Sequence, residues 1–364
     1  MKHVWLWSLI FLIGLVGCSF STDGGKGGTD GKGNGKTSTN ETGVEVLADG
    51  LDIPWSVVEA EESVLVSERG GAIVEVPKNG GDPARKKLEL EHSVRHQGEG
   101  GFLGLTLAPD FKESRALFAY HTYRAEGQVF NRVVRLEEAD EVWVETDVLI
   151  DAIPGAGIHN GGRIQIGPDD KLYITTGDAA DEPIAQDLEN PAGKILRVEL
   201  DGGIPDDNPY PGSPVYSYGH RNPQGLAWDE DGQLYSSEHG PTGRDEINRI
   251  KAGNNYGWPE ISGDEKREGM ETPLYHSGSD TWAPSGLAYA DGKLWVAGLR
   301  GEQVRSFSPD GKQTELKLEG EGRLRDIVPA SDGSFYILTN NNDGRGTPHE
   351  KDDRLLRWTR PDGN

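Results

Sequence analysis

The sequence contains almost no cysteine, since Cys18 is the single one among 364 residues. A disulfide within the chain is therefore excluded in any redox compartment. Positive charge is also scarce, because 37 Lys and Arg residues stand against 61 Asp and Glu residues, for a formal net charge of −24. A surface of this sign repels phosphate backbones, which argues against nucleic acid as a partner.

Long apolar runs are missing as well. The run at residues 4–16 has the length of a signal-peptide core and is too short to span a bilayer comfortably. It ends at Leu15-Val16-Gly17-Cys18, which resembles the lipobox of bacterial lipoproteins. We predict a signal peptide over residues 1–17 and an extracytoplasmic protein held to the membrane only through a lipid on Cys18. The alternative is an ordinary secretory peptide with an incidental cysteine.

Residues 18–43 lack aliphatic side chains and are rich in Gly, Ser, Thr and Lys. Such a composition cannot bury a core, so we predict a flexible tether. The remaining residues, 44–364, lack long helical periodicity, and the chain contains 51 glycines. Both features favour many short strands joined by turns.

One pattern recurs along this domain: a strand, a polar turn, and a second strand carrying an aromatic or apolar residue. Repeats of 40 to 60 residues built on hairpins are typical of β-propeller blades. We therefore predict an all-β fold, a six-bladed β-propeller of four-stranded antiparallel blades; an irregular sandwich or barrel is the alternative. The six units are residues 57–71, 105–123, 163–178, 225–240, 286–301 and 326–341.

Hairpin symmetry indicates a catalytic pair. His159 and Asp178 are equidistant from the turn at 168–170 and should emerge side by side at one end of a blade. A histidine beside a carboxylate is suited to general-base catalysis. The alternative is that His159 caps a turn while Asp178 bonds to nearby backbone. No Ser or Cys nucleophile is evident near them, which disfavours acyl transfer.

Other polar residues fall at equivalent hairpin ends, which converge around the channel of a propeller. Several arginines in one pocket suggest an anionic ligand, although for each arginine alone a surface salt bridge is the simpler reading. The sequence contains neither a phosphate-binding glycine loop nor a zinc-type Cys/His spacing. Its many Asp, Asn and Gly residues are compatible with a calcium site. The residues concerned are Glu99, Arg221, Arg300, Arg323 and Arg325.

Several segments resemble the soluble quinoprotein glucose dehydrogenases, and more closely their aldose sugar dehydrogenase branch. The most specific are GHRNPQGLAW (219–228) and EHGPTGRDEIN (238–248), and the similarity covers about residues 44–360. The resemblance implies a six-bladed propeller that binds pyrroloquinoline quinone and calcium and oxidises aldose sugars to lactones. The electron acceptor is not indicated.

The resemblance also implies roles for individual residues. Arg300, Arg323 and Arg325 would face the carboxylates of the quinone, with Arg221 beside its reactive carbonyl and Asn222 lining it. Gly240 and Pro241 would hold calcium through backbone carbonyls, and Asp245 and Glu246 would hold additional calcium. His159 would remove the proton of the anomeric hydroxyl, with Asp178 orienting it, while the hydride passes to the quinone and calcium and Arg221 stabilise the developing charge.

The chain departs from the glucose dehydrogenase pattern at three positions. Glu99 replaces a glutamine, which adds a negative charge near the cofactor unless an arginine or calcium pairs with it. Ile158 replaces an aspartate that touches sugar, so strict glucose preference is not expected. Arg300 replaces a lysine.

Other roles stay open. Tyr256, Trp258 and Trp282 fit either sugar stacking or packing between blades. A non-enzymatic binding propeller and a calcium-dependent lactonase are the competing functions, and the HGP and RNPQG segments argue against the lactonase.

Overall fold

A computed structural model describes residues 43–360. The predicted signal peptide, the lipidation site at Cys18 and all but the last residue of the predicted tether lie outside these residues. None of the helices within 43–360 is long and apolar enough to cross a membrane.

The described chain is all-β, as predicted. Three sheets each contain four consecutive antiparallel strands. They comprise β10 (Ile164–Ile166), β11 (Leu172–Thr176), β12 (Lys194–Val198) and β13 (Val215–Tyr218); β14 (Pro223–Trp228), β15 (Leu234–Glu238), β16 (Glu246–Ile250) and β17 (Tyr275–His276); and β18 (Pro284–Ala290), β19 (Lys293–Gly298), β20 (Gln303–Phe307) and β21 (Thr314–Glu319).

A fourth four-stranded sheet joins the two ends of the domain. Its strands are β1 (Val44–Ala48), β22 (Leu324–Pro329), β23 (Phe335–Thr339) and β24 (Leu355–Trp358), and β1 pairs antiparallel with β24. The segment that follows the predicted tether therefore completes the last sheet. This pairing ties the start of the domain to its end without a covalent link.

The other strands form one eight-stranded sheet, which departs from the prediction of separate four-stranded blades. It contains two antiparallel halves, and β5 pairs parallel with β9 where they meet. The join forms because β9 is 13 residues long and its first residues reach β5 beside the buried Trp143. The halves are β2 (Pro54–Glu59), β3 (Ser63–Glu68), β4 (Ala72–Pro77) and β5 (Ala84–Glu89), then β6 (Phe102–Leu107), β7 (Ala116–Ala125), β8 (Gln128–Ala139) and β9 (Val142–Pro154).

Helices are short in the described chain. They are α1 (Phe111–Ser114), between β6 and β7, and a 3-10 helix (Glu182–Gln186), between β11 and β12. The second one matters for the site, because it lies just after Asp178 in the chain.

The turns of the repeat are held by their own side chains. In two of the sheets the repeated tyrosine donates its hydroxyl to the turn aspartate, Tyr173 to Asp169 and Tyr235 to Asp229, each over 3.0 Å. Asp170 has a φ of 58°, a left-handed conformation that Asp tolerates better than most residues. In these two sheets the aromatic residue of the repeat therefore also stabilises the turn.

Apolar side chains from neighbouring sheets pack together and form the core. Trp295 from β19, Phe335 from β23 and Trp358 from β24 make one such cluster, with ring centroids 5.1–5.9 Å apart. The first strand of each four-stranded unit lies innermost. Six strands, β2, β6, β10, β14, β18 and β22, together line one cavity of about 480 Å³. This arrangement fits a propeller with a central channel.

Candidate active site

His159 and Asp178 meet as hairpin symmetry predicted. The Nδ1 atom of His159 lies 2.7 Å from Oδ1 of Asp178, whose carboxylate is fully buried. Because a carboxylate can only accept, Nδ1 carries the proton and Nε2 is left with a free lone pair. The imidazole thus has the tautomer that a general base requires.

The two backbone segments that carry this pair approach each other closely. The φ of His159 is 56°, and a Cβ on Gly177 would stand 2.0 Å from the carbonyl oxygen of His159, so only glycine fits there. The His159 carbonyl accepts a hydrogen bond from Ala179 over 3.1 Å. The Asp178 side chain also accepts from the backbone N–H of Ala180, over 2.8 Å. The backbone bond that the alternative reading proposed for Asp178 therefore coexists with the contact to His159.

Glu99 supports His159 and is neutralised by an arginine that the sequence did not reveal. One Glu99 carboxylate oxygen accepts the backbone N–H of His159 at 3.0 Å, and the other pairs with Nη1 of Arg345 at 2.9 Å. Burial opposes the charged form, but the hydrogen bond from His159 and the nearby cations outweigh it, so the pKa of Glu99 is lowered to about 2. Arg345 lies beyond the last hairpin, where the repeat offers no alignment.

Glu99 should make stability depend on pH. Its native pKa of about 2 is below the ordinary value of a glutamate, so its contribution is complete above that ordinary value and is lost as the pH falls towards 2. We expect Glu99→Gln to lower the free energy of unfolding by about 2–3 kcal/mol at neutral pH, and by less as the pH falls from about 6 to 3. Denaturant titrations across this range measure the difference.

The exposed Glu62 provides the control, because Glu62→Gln alters the same functional group without removing a carboxylate that holds a site backbone N–H. A difference between wild type and Glu99→Gln that stays constant with pH would show that the Glu99 charge is not stabilised by Arg345 and its other neighbours.

The buried arginines form a second group in the site. Arg323 donates to Asp343 over 2.8 Å, and Arg325 donates to Gln224 over 2.8 Å and to Asn340 over 3.0 Å. Burial, together with the nearby cation of Arg69, lowers the pKa of Arg325 to about 9. Sequence reasoning missed Arg69, although it directly follows β3 and lies at the same end of its hairpin as the predicted residues of the other units.

Arg300 is placed differently from the other predicted arginines. It is exposed, whereas Arg323 and Arg325 are each 6% exposed. Ile158, next to His159, is 39% exposed and gives the site an apolar surface where the glucose dehydrogenases carry an aspartate.

Arg221 and Asn222 are positioned by one buried carboxylate. Glu238 accepts the backbone N–H groups of both residues, and its other oxygen lies 3.0 Å from Nδ1 of His220. The Asn222 side chain accepts the N–H of Gly161, two residues from His159, over 3.0 Å. The segment that leads into β14 is thereby linked to the loop that carries the imidazole.

The loop after β15 places the predicted calcium-binding residues. Asp245 accepts the N–H of Gly240 over 2.9 Å through one oxygen, and its other oxygen accepts three hydrogen bonds, from Thr281, Trp282 and Ala283. Asp245 therefore uses its acceptor capacity to tie this loop to the segment just before β18.

Glu246 retains acceptor capacity. It accepts single hydrogen bonds from Gly263 and Asn248, and it lines a small cavity together with Gly240 and Pro241. Burial, with the neighbouring Glu238 carboxylate, raises the pKa of Glu246 to about 8. No cluster of three or more His, Cys, Asp or Glu side chains suited to a metal occurs among residues 43–360.

The aromatic candidates divide between site and core. Tyr256 stacks on His220 with ring centroids 4.8 Å apart and donates its hydroxyl to Arg249. Trp282 packs against Phe307. Trp258 instead donates its indole N–H to Asp178 over 2.8 Å.

Comparison with known proteins agrees with this geometry. The family of glucose and sorbosone dehydrogenases matches residues 51–357. Aldose sugar dehydrogenase YliI of Escherichia coli is 33% identical over 83% of this chain and 91% of its own. Quinoprotein glucose dehydrogenase B of Acinetobacter calcoaceticus is 35% identical over 60% of this chain and 52% of its own. The PQQ-bound structure of aldose sugar dehydrogenase from Streptomyces coelicolor is 41% identical over 86% of this chain and 97% of its own, with a TM-score of 0.81.

The described chain is thus an all-β domain that pairs the partly buried His159 with the buried carboxylate of Asp178. The chain belongs to the glucose/sorbosone dehydrogenase family. The assignment made from the sequence motifs is thus confirmed, while the roles of single residues stay predictions.

Proposed function

We propose that this protein is an aldose sugar dehydrogenase that depends on pyrroloquinoline quinone and calcium and oxidises the anomeric carbon of aldoses to lactones. The observation that carries the proposal is the His159–Asp178 pair, held at 2.7 Å and anchored by the backbone hydrogen bond from His159 to Glu99. Aldoses are the substrate class named for the relatives from E. coli and S. coelicolor.

Proton abstraction is assigned to His159. Its free Nε2 takes the proton of the anomeric hydroxyl, and Asp178 stabilises the imidazolium that forms and fixes the ring. Glu99 holds the backbone N–H of His159, so the ring is anchored at both its main chain and its side chain. Arg221 provides positive charge near the reacting atoms. When bound, a quinone held by the buried arginines would supply the hydride-accepting chemistry.

The site residues fit a quinone that carries several carboxylates. Among residues 43–360, the buried nitrogens that have no hydrogen-bond partner include Nε of Arg69, Arg221 and Arg325 and Nε2 of His239. Buried donors of this kind are costly unless a ligand or water satisfies them. Carboxylates of an anionic cofactor would supply the acceptors, and Arg323 would contribute a further cation once released from Asp343.

Calcium is proposed at the cavity lined by Gly240, Pro241 and Glu246. Backbone carbonyls and a carboxylate are the oxygen ligands that calcium prefers. A cation there would offset the repulsion between Glu246 and Glu238. Asp245 is less suited, because its two oxygens already accept four hydrogen bonds. A calcium ion would supply positive charge beside the quinone oxygen.

Two further assignments complete the proposal. Residues 44–364 form a propeller of six blades; the six inner strands around one cavity support this count, with the eight-stranded sheet taken as two blades. Residues 1–17 are a signal peptide and residues 18–43 a tether attached to lipid through Cys18, which would place the enzyme outside the cytoplasm.

Reconstitution tests the proposal. We expect the quinone to bind the cofactor-free domain in the presence of calcium and to confer aldose-dependent dye reduction. Arg323→Met should weaken quinone binding by about 10-fold or more, because it removes a buried cation. Absorbance titration of the quinone gives the affinity, and dye reduction gives the rate.

Arg357→Met is the matched control, since Arg357 pairs with Asp332 far from the site. Failure of the quinone to bind, with no turnover on an aldose panel, would refute the enzyme and favour a non-enzymatic propeller that binds a carbohydrate or protein partner.

A further inference from the structure

The carboxylate of Asp178 is held from two sides. Its Oδ1 faces His159, and its Oδ2 accepts the indole N–H of Trp258 over 2.8 Å. The two residues are 80 positions apart in the chain. The base and its carboxylate are thus joined by a third side chain, contributed by the loop after β16.

Trp258 is itself fixed by its backbone. Its N–H donates to the carbonyl of Gly219 over 2.9 Å, and its carbonyl accepts from the side chain of Gln186 over 2.6 Å. Gln186 in turn exchanges two hydrogen bonds with Asn255, of 3.0 and 2.8 Å. The indole is therefore presented to Asp178 by a rigid support rather than by a mobile loop.

The ring of Trp258 also contacts the other predicted catalytic residue. The guanidinium carbon of Arg221 lies 5.3 Å from the indole centroid, within cation–π range, and Nη1 of Arg221 donates to the His239 carbonyl. One residue consequently touches both the carboxylate that orients the base and the cation assigned to the developing charge.

These contacts argue against both roles considered for Trp258, sugar stacking and packing between blades. The indole N–H is already used by a buried carboxylate, and the guanidinium lies against the ring, so Trp258 does not offer both features to a sugar. Simple packing between sheets is also insufficient, because an indole N–H directed at a buried carboxylate is a charge-assisted bond.

We propose that Trp258 is a positioning residue that sets the orientation of His159 through Asp178 and the place of Arg221 through its ring. The inference rests on the proposed function for its kinetic consequence, but the coupling between Trp258 and His159 is a property of the protein alone. It makes the general base a three-residue unit, in which His159 and Asp178 flank the β10–β11 hairpin and Trp258 comes from the loop between β16 and β17.

Kinetics test the consequence. We expect Trp258→Phe, which keeps the ring and loses the N–H, to lower kcat by about 10- to 100-fold, with the quinone affinity and the KM for sugar changed less than about twofold. Trp258→Leu should lower kcat further, since Arg221 loses its stacking partner.

Trp295→Phe is the matched control, because it removes an indole hydrogen bond to the Ala290 carbonyl in the core. A raised KM with unchanged kcat would instead identify a sugar-stacking residue, and an unchanged kcat and KM a packing residue.

An independent readout needs no turnover. In the cofactor-free protein labelled with nitrogen-15, the indole resonance that disappears in Trp258→Phe is assigned to Trp258. We expect that resonance to shift in Asp178→Asn and in His159→Asn, and to stay in place in Trp295→Phe. An indole resonance insensitive to both site variants would overturn the inference even if the enzyme is active. A coupled resonance in a protein that lacks aldose oxidation would uphold the coupling and refute the proposed function.

Discussion

Replacing His159 by asparagine is expected to lower kcat/KM for aldose oxidation by about 10²- to 10⁴-fold, the range that a general base typically contributes. Asparagine is the suitable replacement because the φ of residue 159 is 56°, a conformation that asparagine adopts more readily than most residues. The backbone N–H would still donate to Glu99, so the loop should keep its shape. Steady-state dye reduction across sugar concentrations measures the loss.

Quinone affinity separates loss of the base from loss of the site. His159→Asn should bind the quinone within a few-fold of wild type, because the cluster of Arg69, Arg323 and Arg325 is untouched. His92→Asn serves as the control, since His92 stacks on Tyr123, away from the site, at a centroid distance of 4.5 Å. Retention of more than about a tenth of the wild-type rate in His159→Asn would assign the proton transfer to another group.

The second large effect concerns stability. Asp326→Ala is expected to lower the free energy of unfolding by about 3–5 kcal/mol, because it leaves the buried guanidinium of Arg163 without a counter-ion. Oδ2 of Asp326 accepts from Nη1 of Arg163 at 2.9 Å and from the backbone N–H of Val57 at 3.0 Å. One carboxylate thus ties β22 to β2 and to the start of β10. Equilibrium denaturation of the domain from residue 44 measures the change.

A double variant separates charge burial from packing. Arg163→Met combined with Asp326→Leu should recover much of the lost stability, since replacing a buried ion pair by apolar residues avoids an unpaired charge. Full recovery is not expected, because the Val57 N–H loses its acceptor. The exposed pair of Lys112 and Glu61, with side chains 71% and 61% exposed, is the control.

Glu61→Ala should change the free energy of unfolding by less than about 1 kcal/mol. If Asp326→Ala were as mild as Glu61→Ala, the buried pair would not hold the inner strands together.

Some contacts of the candidate site could be predicted from local sequence, and others could not. The pairing of His159 with Asp178 followed from hairpin symmetry. This is a local property, because one stretch of 20 residues contains both side chains and the hairpin between them. Arg345, in contrast, reaches Glu99 across 246 positions. Trp258 reaches Asp178 in the same way, from a loop with no repeat to align. Such contacts exist only once the sheets are assembled.

The residues predicted to bind calcium also show what local sequence cannot reveal. Asp245 and Glu246 are adjacent in the chain, and the motif alone treats them alike. The fold directs Asp245 to one donor of its own loop and three from residues 281–283, and it directs Glu246 into a cavity beside a second buried carboxylate. Asp245 lies in the loop just before β16 and Glu246 is the first residue of that strand, so the two side chains meet different partners.

The sequence by itself determined the all-β class and the repeated hairpins, and its motifs indicated the family. Alternating apolar residues, aspartate turns and hydrogen-bonding tyrosines act over a few residues, so they can be read in order along the chain. Only the tertiary structure decided which arginines are buried together, what neutralises Glu99, what holds Asp178 and where the first two units fuse through β5 and β9. These depend on loops brought together when the sheets pack in a ring, and the strength of each charge contact there depends on burial, which no local pattern encodes.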